Sequence, residues 1–247
     1  MVIFRCDGTY EGILTAVFSG YRSDDVMIEC DNDNMFVFGE CTEVVTDLSK
    51  SLRVAKGIRK ISYEAEYMMY LAALNNNPDR GTDIFYFVKS VFQNGARGIS
   101  DYHDVHVANV NKMCRNTGRE YDHFRGFLRF EQYDKFLLGK IHPVNNLLTL
   151  LGSFFTDRLL QENFIIADMG RGKAAVHNKG GEYIITDVDT GYIMGLQPDD
   201  KEKELKRLYE MFRKSISIKE RTNINLQKQN MPCLLYTSDA ADDLTRV

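Results

Sequence analysis

Cysteine and histidine are among the side chains in this sequence that could bind a metal or take part in nucleophilic catalysis. The five cysteines lie far apart, and no two form a Cys-x-x-Cys pair: Cys6, Cys30, Cys41, Cys114 and Cys233. Structural zinc sites and iron–sulfur clusters draw their ligands from such short, paired spacings. His103 and His106 are three residues apart without a neighbouring carboxylate–histidine pair, which favours polar groups at a helix start. The sequence therefore predicts no metal site and mostly buried, free thiols.

Acidic and glycine-rich segments give no clearer chemistry. Asp31-Asn-Asp-Asn34 has the Asp-x-Asp spacing of a calcium loop but lacks glycine and glutamate at the sixth and twelfth loop positions, so it predicts a turn. Asp187 and Asp189 are expected on one strand face, with no third convergent ligand. Gly170-Arg-Gly172 and Gly180-Gly181 lack the Walker lysine and the dinucleotide-binding spacing. No cofactor and no catalytic residue can be assigned, so whether the chain is an enzyme stays open.

Cations and aromatic rings are interleaved from His123 to Phe130, in the order His-Phe-Arg-Gly-Phe-Leu-Arg-Phe. Residues 1–110 carry a net charge of −6, residues 111–179 a net charge of +4, and residues 180–232 are balanced. Such a composition suits contacts with backbone phosphates and stacked bases. A strand that alternates core and solvated residues would explain it as well. The contrast between the halves indicates an anionic partner.

The elements that must position these side chains differ between the two halves. In the first half, Asp7-Gly8-Thr9 predicts the cap of one helix, and Asp47 the cap of another. That second helix should turn Leu48, Leu52, Ala55 and Ile58 inward. Its cations, usually just a solvated face, are Lys50, Arg53, Lys56, Arg59 and Lys60. A long helix is expected from about Asp104 to about Asp122.

Short β-like runs dominate the second half, around a helix at Asn145–Leu160. The predicted strands are Phe127–Phe130, Phe136–Ile141, Phe164–Ala167, Ala174–His177 and Tyr183–Thr186. Met169-Gly-Arg-Gly172 and Asn178-Lys-Gly-Gly181 have the composition of hairpin turns, and a charged helix should run from Pro198 to about Lys214. The fold class expected is α+β, with a helix-rich first half and a mainly antiparallel sheet packed against helices in the second. The predicted domains are 1–98 and 99–232, with a hinge at Gly95–Gly98.

The ends of the chain also carry information. No run approaches the roughly 18 apolar residues that a membrane span requires. Charge appears too early after Met1 for a secretory signal, so a cytoplasmic location is expected. The segment Cys233-Leu-Leu-Tyr-Thr-Ser-Asp-Ala-Ala-Asp-Asp243 resembles the translation of a transposase adapter used to prepare sequencing libraries. Residues 233–247 are therefore expected to be foreign to the fold.

Several motifs resemble those of a family of bacterial proteins described only in general terms, as proteins of DNA metabolism or DNA repair. The opening Cys6-Asp-Gly-Thr-Tyr-Glu-Gly-Ile-Leu-Thr-Ala-Val-Phe18 is one of them. The later ones are Arg119-Glu120, Gly126-Phe-Leu-Arg-Phe130, Ile141-His-Pro143, Phe155-Thr-Asp-Arg158 and Ile165-Ile-Ala-Asp168-Met-Gly-Arg171. The similarity spans essentially residues 1–232. The chain has Phe154 and Asp122-His123 where the family pattern leads one to expect a histidine and a His-Arg pair, so no catalytic histidine is carried over.

The resemblance implies a function and a partner. The later half is similar to a domain of unknown function that elsewhere is fused to uracil-DNA glycosylase-type domains, and the family's companion is a radical SAM protein assigned to DNA modification or repair. The family-motif residues are Asp7, Gly8, Glu120, Gly126, Phe127, Arg129, Phe130, Pro143, Phe155, Arg158, Asp168 and Arg171. The expected function is that of an accessory protein in DNA repair or modification that acts with this partner and contacts DNA.

The candidate DNA-binding residues combine the resemblance with the charge pattern. They are Arg119, Arg125, Arg129, Arg158, Arg171 and Lys173. Two alternatives stay open: an enzyme that acts directly on DNA or damaged bases, with Asp168 and Arg171 near its site, and a protein–protein adaptor without nucleic-acid contact. Arg129 and Arg171 are each expected to be structural, tying strand ends to carboxylates such as Asp168 or Asp157.

Overall fold

The computed structural model describes residues 1–30 and 41–216. The chain divides into two compact units. The first contains Met1–Arg119 and Val144–Asn146, and the second contains Glu120–Pro143 and the chain from Leu147 onward. These residue sets differ from the predicted domains 1–98 and 99–232, whose bounds stay a prediction. The acidic turn at residues 31–34 and the adapter-like segment lie outside the described residues.

The first unit contains a small parallel sheet and most of the helices. Its strands are β1 (Val2–Cys6), β2 (Val26–Cys30) and β3 (Cys41–Glu43), in the order β2-β1-β3. Its helices are α1 (Tyr10–Gly20), α2 (Leu48–Ile61), α3 (Tyr63–Ala73), α4 (Arg80–Asn94) and most of α5 (Val105–Phe127), with a 3₁₀ helix at Gly95–Ser100. β1 and β2 are joined through α1, a crossover that places the loops after these parallel strands at one edge of the sheet.

The second unit contains a five-stranded mixed sheet. Its strands are β4 (Glu131–Tyr133), β5 (Phe136–Ile141), β6 (Phe164–Asp168), β7 (Lys173–His177) and β8 (Tyr183–Asp187), in sequential order. Only β5 and β6 pair in parallel, and α6 (Leu148–Arg158) lies in the connection between them. The other three pairs are antiparallel, and two further helices follow, α7 (Thr190–Gly195) and α8 (Asp200–Ile216). The α+β class and the mainly antiparallel second sheet are confirmed.

Both predicted helix caps in the first half are present. Thr9 accepts a hydrogen bond from the backbone N–H of Gly12, and Asp47 accepts from those of Ser49 and Lys50. The hydrogen bonds that Asp47 accepts from Ser49 and from the Lys50 backbone lower the pKa of its carboxyl. Each cap supplies an acceptor that the first helical turn lacks.

The predicted inner face of α2 is partly wrong. Ala55 and Ile58 are buried as expected, but Leu48 is 64% exposed and Leu52 53% exposed. The buried face also contains Ser51 and Val54. Ser51, Val54, Ala55 and Ile58 follow helical spacing, and Leu52 lies about 100° around the helix from Ser51. Apolar character alone did not reveal this, because Ser51 is polar and buried.

The predicted strand at Phe127–Phe130 is also wrong. Helix α5 continues to Phe127, and the next strand, β4, starts only at Glu131. The backbone N–H of Leu128 donates to the carbonyl of Phe124, as in a helical turn. Phe124 is 2% exposed and belongs to the core of the second unit. This buried side chain holds the last turn of α5 in place, so the helix continues to Phe127. The helix prediction around α6 succeeds, since Leu147, Leu148, Leu151 and Phe155 are buried in the same core.

Helix α4 packs on the neighbouring strand β2 within the first unit. The hydroxyl of Thr82 accepts a hydrogen bond from the backbone N–H of Ile28 at 3.0 Å and donates to the Ile28 carbonyl at 3.4 Å. A Cβ on Gly81 would lie 2.8 Å from the Cys30 Sγ and 2.7 Å from the Ile28 Cγ2. The first turn of α4 can therefore approach the strand only because position 81 has no side chain.

Candidate nucleic-acid interface

Arg125 lies between two aromatic rings on the surface of the second unit. It occupies the last turn of α5, and its guanidinium carbon lies 5.5 Å from the ring centroids of both Tyr121 and Phe154. Asp122, three residues earlier on the same helix, forms an ion pair with Arg125 at 3.0 Å. Both members of that pair are exposed, so solvent screens it and it contributes little to stability. The rings and the ion pair hold an always-charged, multi-donor group at the surface.

Arg158 extends this surface along α6. It is exposed and follows Phe154 by four residues on one helix, which places the two side chains on the same helix face. Within the part of the chain that the structure describes, Arg158 has no ion pair. We call Tyr121, Arg125, Phe154 and Arg158 the basic–aromatic surface.

Two further exposed side chains of the Gly126–Phe130 motif, Phe127 and Arg129, lie at the end of α5 and just after it. The Arg129 guanidinium lies 4.8 Å from the ring centroid of Tyr209 on α8. This contact replaces the carboxylate that the sequence led us to expect for Arg129. Phe127 is 51% exposed, and a Cβ on Gly126 would meet no atom within 4 Å, so nothing in the described structure requires glycine there.

The remaining aromatic motif residues are structural. Phe130 packs edge-on against Phe155, with centroids 5.0 Å apart, and against Phe164, with centroids 5.9 Å apart. Phe155 and Phe164 are buried members of the second core. Phe130 therefore fastens the chain that leaves α5 to α6 and β6.

Arg171 and Asp168 form an ion pair at the β6–β7 hairpin. The Asp168 carboxylate is fully buried and accepts hydrogen bonds from the backbone N–H groups of Gly170 and Arg171. The Arg171 Nη1 donates to the Asp168 Oδ2 and to the Pro143 carbonyl, both at 3.0 Å. This geometry accounts for three family-motif residues at once and favours a structural role for Arg171. It gives the enzyme alternative no support, because the two groups neutralise each other.

The other candidate cations are dispersed. Lys173 pairs with Asp187 across β7 and β8 at 2.8 Å, and both side chains are largely exposed. Arg119 is exposed on the part of α5 that belongs to the first unit, next to the buried Glu120. The structure thus places Arg125 and Arg158 on one surface. Arg171 and Lys173 lie elsewhere, each in an ion pair with an aspartate, Asp168 and Asp187 respectively.

Asp187 and Asp189 do not share a strand face, contrary to expectation. Asp187 ends β8, whereas Asp189 caps α7 by accepting from the backbone N–H groups of Gly191 and Tyr192. Across residues 1–30 and 41–216, no three histidine, cysteine or acidic side chains form a group that could hold a metal ion.

The N-terminal motif joins two loops of the first unit. The Asp7 Oδ1 accepts from the backbone N–H of Thr9 at 3.0 Å and from its hydroxyl at 2.7 Å, and the Oδ2 accepts from Thr46 at 2.8 Å. Burial alone would raise the pKa of Asp7, but the hydrogen bonds from Thr9 and Thr46 outweigh it, so the pKa is lowered. Gly8 has a φ of 69°, a left-handed conformation that favours glycine. Asp7 and Gly8 are therefore explained by loop structure.

The sequence did not reveal a carboxylate–histidine pair in the first unit, in which the carboxylate is buried and the histidine half-buried. The His106 Nδ1 lies 2.7 Å from the Asp83 Oδ1, and the imidazole stacks on Tyr86 with centroids 4.4 Å apart. Asp83 is 2% exposed, and burial raises the pKa of its carboxyl despite the hydrogen bonds from His106 and Asn109. His106 was expected only to be a polar group at a helix start. Its partner is 23 residues away on another helix, a distance at which no local pattern exists.

The cysteines of the described residues are free, as expected, but only two are buried. Cys6 and Cys114 are buried, Cys30 is half-buried and Cys41 is exposed. Cys6 and Cys30 are register partners on β1 and β2. A hydrogen bond with Cys30 lowers the pKa of the Cys6 thiol, whereas burial raises the pKa of Cys114 to about 12.

No helix in the described portion of the chain is both long and apolar enough to cross a membrane.

A search of curated proteins finds none that matches the chain. The profile of one family, described as a domain of unknown function (DUF4130), matches residues 78–238. That region contains every residue of the basic–aromatic surface and the Asp168–Arg171 pair. Because the match covers more than half of the sequence, the chain belongs to the DUF4130 family.

Proposed function

We propose that this protein is an accessory protein of DNA repair or modification that contacts DNA through the basic–aromatic surface and acts with a radical SAM partner. The observation that carries the DNA contact is the placement of Arg125 against Tyr121 and Phe154, with Arg158 one helical turn beyond Phe154. The radical SAM partner rests on the sequence resemblance alone.

The chemistry of the surface favours single-stranded or unpaired DNA. Guanidinium groups bind backbone phosphates, and aromatic rings stack on bases for about 1 to 3 kcal/mol per base. Tyr121 and Phe154 are half-buried, so each offers only part of its ring to a base. Bases stack on rings only where they are not already stacked in a duplex. Asp122 lowers the local positive charge, so binding should be moderate and sensitive to salt.

An accessory role is favoured over catalysis by what surrounds the two arginines. No nucleophile–base pair adjoins the basic–aromatic surface among the side chains that the structure describes. The only carboxylate–histidine pair discussed above, Asp83 and His106, belongs to the first unit. The enzyme alternative predicts turnover of a damaged oligonucleotide by the purified chain, and the accessory function predicts none without the partner.

The adaptor alternative has one observation in its favour. Helix α8 exposes Leu205, Leu208 and Phe212 by 62%, 55% and 58%. Their spacing places them on one helix face, which could contact another protein. An adaptor and a DNA-contacting accessory protein would both bind the partner, so DNA binding separates them.

Fluorescence anisotropy with single- and double-stranded oligonucleotides over a salt series tests the DNA contact. We expect tighter binding to the single strand and a steep fall in affinity with salt, because each phosphate contact releases counterions. Reversal of both arginines, Arg125→Glu with Arg158→Glu, should weaken binding to all sequences alike and flatten the salt slope by about one unit per contact. The matched control reverses two exposed cations of α2, Lys56→Glu with Lys60→Glu, and should retain binding.

Arg119 is tested separately. Adding Arg119→Glu to Arg125→Glu should weaken binding further if the site follows α5, and should change nothing if the site follows α6. Unchanged binding of the Arg125/Arg158 variant, together with loss in the control, would place the site in the first unit. Absence of any binding at low salt, even with the partner present, would replace the proposal with the adaptor.

Co-expression with a radical SAM protein encoded beside this chain tests the partnership. The two proteins should co-purify, and modified-base analysis of the host DNA should change only when both are present. A change produced by the radical SAM protein alone would contradict the accessory role.

A further inference from the structure

A cleft with a volume of 720 Å³ opens in the first unit between α1, α2 and α4. Its apolar side chains include Val17 of α1, Val54 of α2 and Phe92 of α4. Ligand sites in proteins commonly have volumes of about 300 to 1,000 Å³. The cleft is therefore large enough for a compound the size of a mononucleotide.

The charged side chains of the cleft are all cationic. Arg22, Lys50 and Arg53 line it, and among the residues that the structure describes no aspartate or glutamate does. Lys50 lies 3.8 Å from Asp47, which is partly exposed, so Arg22 and Arg53 are the stronger anion-binding groups. The Arg53 guanidinium lies 5.1 Å from the ring centroid of Phe18, a contact that keeps this cation next to the apolar lining.

Two features of the lining suit a flat ring. Tyr21 and Phe92 are in edge-to-face contact, with centroids 5.7 Å apart, and Tyr21 is 41% exposed. Gly57 faces the ring of Phe92, and a Cβ there would lie 3.0 Å from the Phe92 Cζ. Glycine inside a helix costs about 0.5 to 1 kcal/mol relative to alanine, and here it lets the Phe92 ring pack directly against α2, which fixes the ring at the wall of the cleft.

We propose that the α1–α2–α4 cleft binds a mononucleotide-like ligand, with an aromatic ring system against the Phe92 side and a phosphate between Arg22 and Arg53. A purely apolar ligand would leave the cations Arg22 and Arg53 without a counter-charge at the cleft. An inorganic anion alone would leave the apolar lining unused. A ring bearing a phosphate satisfies both parts, whether it is a free nucleotide or the phosphorylated end of a DNA strand.

This proposal is independent of the basic–aromatic surface, which lies in the other unit and uses different residues. It can therefore fail while the DNA contact stands, and the reverse is also true. The two are separated by the variants, because none of the cleft variants changes Arg125 or Arg158.

Isothermal titration calorimetry with dAMP, deoxyadenosine and inorganic phosphate tests the cleft in the full chain. We expect dAMP to bind at least ten times more tightly than either deoxyadenosine or phosphate. Arg53→Ala should weaken dAMP binding about tenfold, whereas the matched control Lys56→Ala, an exposed cation of the same helix outside the cleft, should change it less than twofold. Gly57→Leu should remove binding, because its side chain cannot fit against the Phe92 ring without displacing the ring from the wall of the cleft.

A 5′-phosphorylated oligodeoxyadenylate and the same oligomer without the phosphate distinguish the two sources of the ligand. Tighter binding of the phosphorylated oligomer than of dAMP, lost in Arg53→Ala, identifies a strand end; the opposite order identifies a free nucleotide. Circular dichroism checks the fold of each variant. If Arg53→Ala or Gly57→Leu unfolds, Arg22→Ala carries the same test from the loop that follows α1.

Three outcomes would overturn the proposal. The first is no heat of binding with dAMP at millimolar concentration. The second is equal weakening by Arg53→Ala and Lys56→Ala, which would indicate general charge attraction. The third is binding of inorganic phosphate as tight as that of dAMP, which would leave the apolar lining without a role.

Discussion

Arg171 donates two hydrogen bonds from a single nitrogen, one to the buried Asp168 carboxylate and one to the Pro143 carbonyl. Lysine keeps the positive charge at that position, but its compact, strongly hydrated ammonium ends a flexible stem and is not pre-organised to reach both acceptors. Arg171→Lys should therefore lower the free energy of unfolding by about 1 to 3 kcal/mol, measured by urea denaturation. Lys173→Ala, which removes only an exposed ion pair, should cost about 0 to 1 kcal/mol. Full stability of Arg171→Lys with lost DNA binding would instead assign Arg171 to function.

Asp83 gives a prediction for the pH dependence of stability. Burial raises the pKa of its carboxyl, and the neighbouring charge of Asp79 acts in the same direction. Below the ordinary aspartate pKa, the carboxyl is protonated in both the folded and the unfolded chain, and ionisation costs nothing. As the pH rises through the ordinary value towards the raised one, the folded state keeps the proton longer and stability is lost.

Asparagine carries no charge, so Asp83→Asn should remove this pH-dependent loss of stability. The side-chain oxygen of the new asparagine can still accept a hydrogen bond from Asn109. The free energy of unfolding of the variant, relative to the wild type, should increase between pH 4 and pH 7. Titrating groups that do not contact Asp83 are common to both chains and cancel in the difference. A constant or decreasing difference would show that the contact with His106 outweighs the burial of the charge.

At the scale of elements, the N-terminus of α1 depends on one hydroxyl group. The Thr9 Oγ1 accepts from the Gly12 N–H at 3.0 Å and donates to Asp7 at 2.7 Å. Thr9→Ala should lower the free energy of unfolding by about 1 kcal/mol, and Thr9→Ser should retain most of it. Equal losses in the two variants would mean that the methyl group of Thr9 matters more than the cap.

Elements with local signals were predicted well from the sequence, and those set by distant contacts were not. The Met169–Gly172 and Asn178–Gly181 turns were correct because short glycine-containing segments between strands strongly favour hairpins. The end of α5 was misplaced because the segment from Phe124 to Phe130 alternates like a strand, while the burial of Phe124 in a core formed by later residues keeps it helical. The composition of the candidate interface was visible in the sequence. The approach of Phe154 to Arg125 was not, since it depends on how α6 packs.

For the whole molecule, we predict that removal of residues 233–247 leaves the fold intact. The segment resembles a translated adapter and lacks a periodic apolar face, so it should contribute no core. Thermal melts of the full-length and truncated chains should nearly coincide. The DUF4130 match extends past Cys233 to residue 238. A marked fall in melting temperature on truncation would therefore show that part of the segment belongs to the native fold.

The contacts of Thr82 and Gly81 with β2 have a consequence for fragments of this protein that follow the boundaries of the family profile. The DUF4130 match begins at residue 78, so a fragment with the family's boundaries would contain α4 but lack Ile28 and Cys30. Thr82 would lose both hydrogen bonds to Ile28, and the surface shaped to the strand by Gly81 would face solvent. The region that the family profile matches and the folding unit therefore do not coincide. A shortened gene that begins at Pro78 should yield an aggregation-prone polypeptide unless the first 77 residues are supplied as a separate chain.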